Sequence, residues 1–196
     1  DRVCAYAQLE PILNLETPKH TAVCVLADKE EIGSCGNTGL ESDFLVHIIG
    51  DLTKTEGGDT TVTLRNSRCI SADVNAGMDP TFQDVFERRN ASMLNYGVVV
   101  TKYTGARGKS GTSDASAEYV AEIRNLLDKN NIVWQSGELG KVDIGGGGTV
   151  AVYISEKNID VVDLGVPVLS MHAPYELISK NDLYMTYRAF KAFNIL

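Results

Sequence analysis

The stretch Thr21-Ala22-Val23-Cys24-Val25-Leu26-Ala27-Asp28-Lys29-Glu30-Glu31-Ile32-Gly33-Ser34 decides how the rest of the chain is read. Its first half is apolar, rich in β-branched residues and without alternation, the pattern of a strand buried on both faces. Its second half places two adjacent carboxylates and a glycine where that strand would end. A strand covered on both faces needs helices on both sides, so the run predicts an α/β protein. In such proteins the chemistry lies at the carboxyl ends of strands.

The flanking sequence alternates in the same sense. Helical spacing of apolar residues predicts helices over 3–13, 43–54, 113–129, 149–157 and 183–193. The first residues of 113–129 carry a serine and aspartate cap signal. Short apolar runs predict strands over 69–72, 97–103, 132–135 and 161–164. Strands separated by helices imply a three-layer α/β/α sandwich around a mostly parallel mixed sheet.

Composition removes several function classes. The chain has 196 residues, 43% hydrophobic and 22% charged, the balance of a globular domain. Its net charge of −8 leaves no basic surplus to displace counterions from phosphates, so nucleic acid is excluded as a partner. No apolar run reaches the roughly 18 residues that a membrane-spanning helix requires. The four cysteines, Cys4, Cys24, Cys35 and Cys69, form no CxxC pair, which reads as buried reduced thiols of a cytoplasmic protein.

Three polar sets stand at expected strand ends. Glu30 and Glu31 follow the opening run; a solvated acidic turn is the plain alternative for an isolated pair. Asp73 closes Ser71-Ala72-Asp73, where a turn residue or helix cap is the ordinary reading. His172 ends Ser170-Met171-His172, where a core histidine is the ordinary reading. Together they supply carboxylate and imidazole donors at successive strand ends, the donor set of a cocatalytic zinc centre. Four glycines, Gly145 to Gly148, precede an expected helix; they fit a tight turn as well as close backbone approach to a substrate.

The motifs Asp28-Lys-Glu-Glu-Ile-Gly-Ser34, Ser71-Ala-Asp73, Gly145-Gly-Gly-Gly-Thr149 and Asp163-Leu-Gly-Val-Pro-Val-Leu-Ser-Met-His172, in this order, closely resemble the aminopeptidase I / aspartyl aminopeptidase family of dinuclear zinc exopeptidases. The opening Asp1-Arg-Val-Cys-Ala-Tyr6 is similar to that family's segment around a metal-bridging aspartate. The resemblance implies a zinc-exopeptidase-like fold and a metalloaminopeptidase that releases residues from peptide N-termini. It implies Glu30 as general base, Glu31 and His172 as ligands of one zinc, and Asp73 as a ligand of the other. Cobalt or manganese would be substitutes for the two zinc ions. Lys102, Gly146 and Gly147 would border the substrate.

Two departures from the family pattern carry weight. Ala76 and Asp79 stand where aspartyl aminopeptidases carry histidines, which points to the bacterial aminopeptidase I-like branch and to neutral or apolar N-terminal residues. A further histidine ligand and a dimerisation domain of the family are not recognisable, and in the family register Asp1 is the residue after the bridging aspartate. Residues 1–196 are therefore expected to be the carboxyl-terminal part of a catalytic domain. The complete protein is expected to be cytoplasmic and homo-oligomeric, a dodecamer by resemblance, acting on peptides. The competing readings are a non-catalytic fragment or assembly module that keeps the fold, and a related dinuclear zinc deacylase.

Overall fold

The computed structural model describes residues 1–107, 110–141 and 143–196. Helix α1 (Arg2–Leu13) begins at Asp1, whose carboxylate caps it by accepting the Cys4 N–H at 3.0 Å. Helices α2 (Phe44–Thr55) and α3 (Thr60–Arg65) follow, then strands β1 (Arg68–Ser71) and β2 (Asn75–Ala76). Strand β3 (Val98–Thr101) leads into a hairpin of β4 (Tyr103–Ala106) and β5 (Ser110–Asp114). After α4 (Ala117–Lys129) come β6 (Trp134–Ser136), the short α5 (Ala151–Ser155) and β7 (Asp160–Gly165). Strands β8 (Pro167–Leu169) and β9 (Leu177–Ile178) and helix α6 (Lys180–Phe193) complete the order.

The main sheet runs β1-β7-β3-β6, with β1/β7 and β3/β6 parallel and β7/β3 antiparallel. The period of two along β7 sorts its side chains between two layers. Val162 and Leu164 join Val98, Val100, Ile123, Leu127 and Phe190 beneath α1, α4 and α6. Val161 faces Leu64 and Ile154 beneath α2, α3 and α5. The result is the expected three-layer sandwich with a mixed, mostly parallel sheet. A smaller sheet, β2-β8-β9, extends one end of it.

The run that opened the reading departs from it. Residues 21–27 form no strand, and among the described residues no backbone hydrogen bond engages residues 17–27. Val23, Val25 and Leu26 are 40–56% exposed. Apolar β-branched residues favour a strand only where a partner supplies the ladder, and no described strand pairs with this segment. Two smaller departures come from turns. Ser113 and Asp114 pair in β5, so α4 starts later, with Ser116 accepting the Tyr119 N–H at 3.2 Å. Helix α3 and the β4/β5 hairpin, built from polar and threonine-rich segments, carry too weak a periodicity to be read. All four cysteines are free, as expected, but only Cys4 is buried; Cys24 and Cys69 are partly buried and Cys35 is exposed.

One buried carboxylate ties the last helix to the sheet. Asp182, in the first turn of α6, is fully buried and accepts the Asn95 and Gly97 N–H groups at 2.6 and 2.7 Å. Those amides precede β3, so the bond fixes where α6 docks. Asp182→Ala leaves both buried donors unpaired and is expected to cost about 3 kcal/mol of unfolding free energy, with Asp182→Asn losing about half as much. Urea denaturation with a shared slope checks both values.

Candidate metal centre

A compact turn displays the paired carboxylates. Lys29, Gly33 and Ser34 hold φ of 61°, 97° and 57° around the short 3-10 turn Glu30–Ile32. The Gly33 N–H donates to the Glu30 carbonyl at 2.9 Å and the Ser34 N–H to the Lys29 carbonyl at 2.8 Å. From α5, the Tyr153 hydroxyl donates to the Gly33 carbonyl at 3.0 Å, tying the turn to the sandwich. Glu30 is half-buried and Glu31 exposed.

Asp73 lies just beyond β1, and two backbone contacts hold it. Asp1 spans from α1 to this point: one carboxylate oxygen caps the helix and the other accepts the Val74 N–H at 2.9 Å. At the end of β7, a Cβ on Gly165 would stand 1.6 Å from the Asp73 carbonyl oxygen, so no other residue fits there. His172 sits in the loop after β8 with φ 67°. Its Nδ1 lies 3.8 Å from Glu31 Oε1.

Glu30, Glu31, Asp73 and His172 thus converge on one cleft of about 1300 Å³, which passes the outer strand β1 and the unpaired 21–27 segment. Gly145 to Gly148 border the same cleft. Their lack of side chains has a local cause at two places: a Cβ on Gly146 would meet the Gly105 carbonyl at 2.2 Å, and one on Gly148 the Gly111 carbonyl at 3.0 Å. The β4/β5 hairpin therefore packs directly on this loop. Lys102 does not border the cleft; it forms an exposed ion pair with Asp114 at the hairpin base.

The electrostatics are those of crowded negative charge. Burial, then Glu30 and Asp163, raise Asp73 to about 7. Glu30 is raised by burial and by its neighbour Glu31. Asp163, on β7 opposite Ser71, is 6% exposed, and burial raises it to about 6. The Ser71 and Thr149 hydroxyls oppose that rise only in part. Neither Asp163 Oδ1 nor Ser71 Oγ completes a hydrogen bond of good geometry. Sequence reasoning missed the parts played by Asp163 and Gly165, although both stand inside the quoted Asp-Leu-Gly motif.

Carboxylates and an imidazole are zinc-type donors, and repulsion among the carboxylates is what a bound cation relieves. They come as a pair, Glu31 with His172, and a separate Asp73. Among the described residues no three His, Cys, Asp or Glu side chains close on one point. The residues present therefore offer zinc a pair of donors, Glu31 with His172, and Asp73 as a further carboxylate in the same cleft.

Comparison with known proteins agrees with this donor chemistry. The model of the aminopeptidase I zinc metalloprotease family (M18) matches residues 1–194. The chain is 46% identical over 197 residues to a probable M18 family aminopeptidase 1 of Clostridium acetobutylicum, covering 98% of this chain and 42% of that protein. It is 50% identical over 200 residues to the Borreliella burgdorferi protein of the same description, covering 98% and 44%. The crystal structure of the Thermotoga maritima M18-family aminopeptidase superposes with a TM-score of 0.95 at 42% identity, over 100% of this chain and 45% of that one. The chain belongs to the aminopeptidase I zinc metalloprotease family, and it spans less than half the length of the relatives it matches. Among the described residues no helix is long and apolar enough to cross a membrane.

The raised carboxylates set a sign for pH dependence. Asp73 and Asp163 hold protons more tightly folded than unfolded, so their stabilisation is complete below about pH 4 and is lost as pH rises through about 6 and 7. Metal-free protein is therefore expected to lose stability between pH 5 and 8. Asp163→Asn should flatten that decline by about 1 kcal/mol relative to wild type, measured by urea denaturation at each pH. Gly165→Ala, whose Cβ meets backbone rather than a movable side chain, should displace Asp73 and lower stability by at least about 3 kcal/mol.

Proposed function

We propose that this chain is the carboxyl-terminal part of the catalytic domain of a zinc metalloaminopeptidase, cleaving the first residue from peptides. The observation that carries the reading is the convergence of Glu30, Glu31, Asp73 and His172 on one cleft from three separate chain connections. The relatives' description as probable aminopeptidases supports the choice of reaction.

Glu31 and His172 are assigned to one zinc ion and Asp73 to the other; cobalt or manganese would satisfy the same donors. Zinc, when bound, polarises a carbonyl and makes water a nucleophile at neutral pH. Glu30 is assigned the proton transfers: its carboxylate takes a proton from the attacking water and returns it to the amine that leaves. Burial and Glu31 raise Glu30, which favours its protonated form, whereas neighbouring cations favour the carboxylate the base needs. Gly147 has the most open loop position, with only Leu139 within 4 Å of a Cβ; its carbonyl accepts the Gly105 N–H at 2.9 Å, so its N–H is the backbone group it would offer to substrate. Gly146 is already pinned by the hairpin, and Lys102 would have to release Asp114 to reach a substrate.

Two donors for one ion and one for the other leave each shell incomplete, which supports reading the chain as one part of a larger catalytic domain. The unpaired 21–27 segment beside the cleft supports it too: an apolar run without a ladder fits a sheet that is completed by further polypeptide. By family resemblance the complete protein would be a cytoplasmic homo-oligomer. The exposed stripe Phe44, Ile48 and Leu52 along α2 supplies apolar surface of the kind such assemblies cover.

The test is zinc content together with p-nitroaniline release from a panel of aminoacyl p-nitroanilides. It uses the chain alone and the chain co-expressed with the remaining segment of a relative. Co-expression is expected to raise both. Glu30→Gln should then lower turnover by at least about 100-fold while leaving zinc content unchanged. His172→Ala and Asp73→Asn should each lower zinc content. Full turnover in Glu30→Gln removes Glu30 as the base.

A further inference from the structure

The loop between β8 and β9 rests on a residue that the proposed reaction does not use. The Ala173 N–H closes on the Ser170 carbonyl at 2.9 Å, which makes Met171 and His172 the central pair of a tight turn. His172 holds φ 67° there, a left-handed conformation that glycine or asparagine usually supplies at this place in a turn. A residue with a full side chain stays there only when its surroundings hold it. Glu176 provides that hold, because its Oε1 accepts the His172 backbone N–H at 2.7 Å. The bond is solvent-exposed, and what Glu176 supplies is an oxygen acceptor at a fixed point beside the turn. Glu176 is anchored from behind in turn: the next residue, Leu177, pairs with Leu169 across β8 and β9.

The consequence reaches the cleft. The His172 imidazole and Glu31 face each other at 3.8 Å with both side chains about two-thirds exposed, so attraction between them is too weak to set their orientation. The direction of the imidazole is set by the turn, and the turn is held by Glu176. We propose that Glu176 is a positioning residue, fixing through one hydrogen bond the left-handed turn that directs His172 toward Glu31.

The metal-affinity part of the test rests on the proposed ligand role of His172; the backbone part does not. Wild type, Glu176→Gln and Glu176→Ala are compared as metal-free protein by amide hydrogen exchange at His172. They are then compared in affinity for Zn²⁺ alone, by competition with a chromophoric chelator. Exchange at His172 is expected to accelerate at least about tenfold in Glu176→Ala, with Zn²⁺ affinity falling by a similar factor. Glu176→Gln keeps an oxygen acceptor and should stay near wild type in both. Unchanged exchange in Glu176→Ala overturns the proposal. So does a glutamine variant that behaves like alanine, since the charge rather than the hydrogen bond would then matter. If exchange accelerates in Glu176→Ala alone while Zn²⁺ affinity moves in neither variant, the positioning of the turn is upheld and the ligand role of His172 falls.

Discussion

The contact between Gly165 and the Asp73 backbone is the constraint on which the rest of the structure depends. Strands β1 and β7 run parallel with Ser71 opposite Asp163, and two residues later the chains are so close that a Cβ would stand 1.6 Å from the Asp73 carbonyl. The pairing resumes beyond that point: Asn75 donates to Val166 at 3.0 Å and Gly77 to Val168 at 2.8 Å. Residues 68–77 and 160–168 thus form one long parallel association that passes from the main sheet into the smaller one. Asp73 sits at the passage, and His172 follows the strand that the passage generates. One glycine therefore sets where two of the four candidate site residues stand.

Much of this was legible because it follows from short-range pattern. The buried runs of β3 and β7, the spacing in α2, α4 and α6, and the placement of Asp73 at a strand end all rest on residues that act through period and burial. The acidic pair, Asp73 and His172 each have an ordinary reading alone, as a turn or core residue, and stood out only as a set carried by ordered motifs. What escaped is what depends on partners distant in sequence. Thr21 to Ala27 has the composition of a buried strand, yet composition cannot supply a ladder. Gly165 looks like any turn glycine until the Asp73 carbonyl is seen against it. Asp163 reads as one more strand residue, and only the register with Ser71 makes it a buried carboxylate near the cleft.

The site is also a place where stability and chemistry pull apart. Three carboxylates, Glu30, Asp73 and Asp163, are raised by burial, Glu30 also by Glu31 and Asp73 also by the other two, and the buried Asp163 Oδ1 completes no hydrogen bond. A sandwich selected for stability alone would replace such a cluster with apolar side chains. Its persistence is economically explained by a cation that turns mutual repulsion into attraction. On the proposed reading, the same groups destabilise the metal-free fold at neutral pH and favour the metal-loaded one.

Crowded charges cannot organise themselves, and this is where the backbone takes over. Ion pairs as exposed as Glu31 with His172 are worth at most about 1 kcal/mol, less than the freedom of two long side chains. The donors are instead held by features of the chain. Lys29, Gly33 and Ser34 turn left-handed to project the acidic pair. The Asp1 carboxylate bridges α1 to the backbone beside Asp73. Gly165 admits the Asp73 carbonyl, and a tight turn carries His172. Each device acts on the backbone at or beside a candidate ligand or base, and Asp1 and Gly165 reach the Asp73 segment through space. Geometry at this site is therefore a property of the peptide chain first and of its side chains second. That ordering suits a centre whose like charges must wait, close together, for an ion.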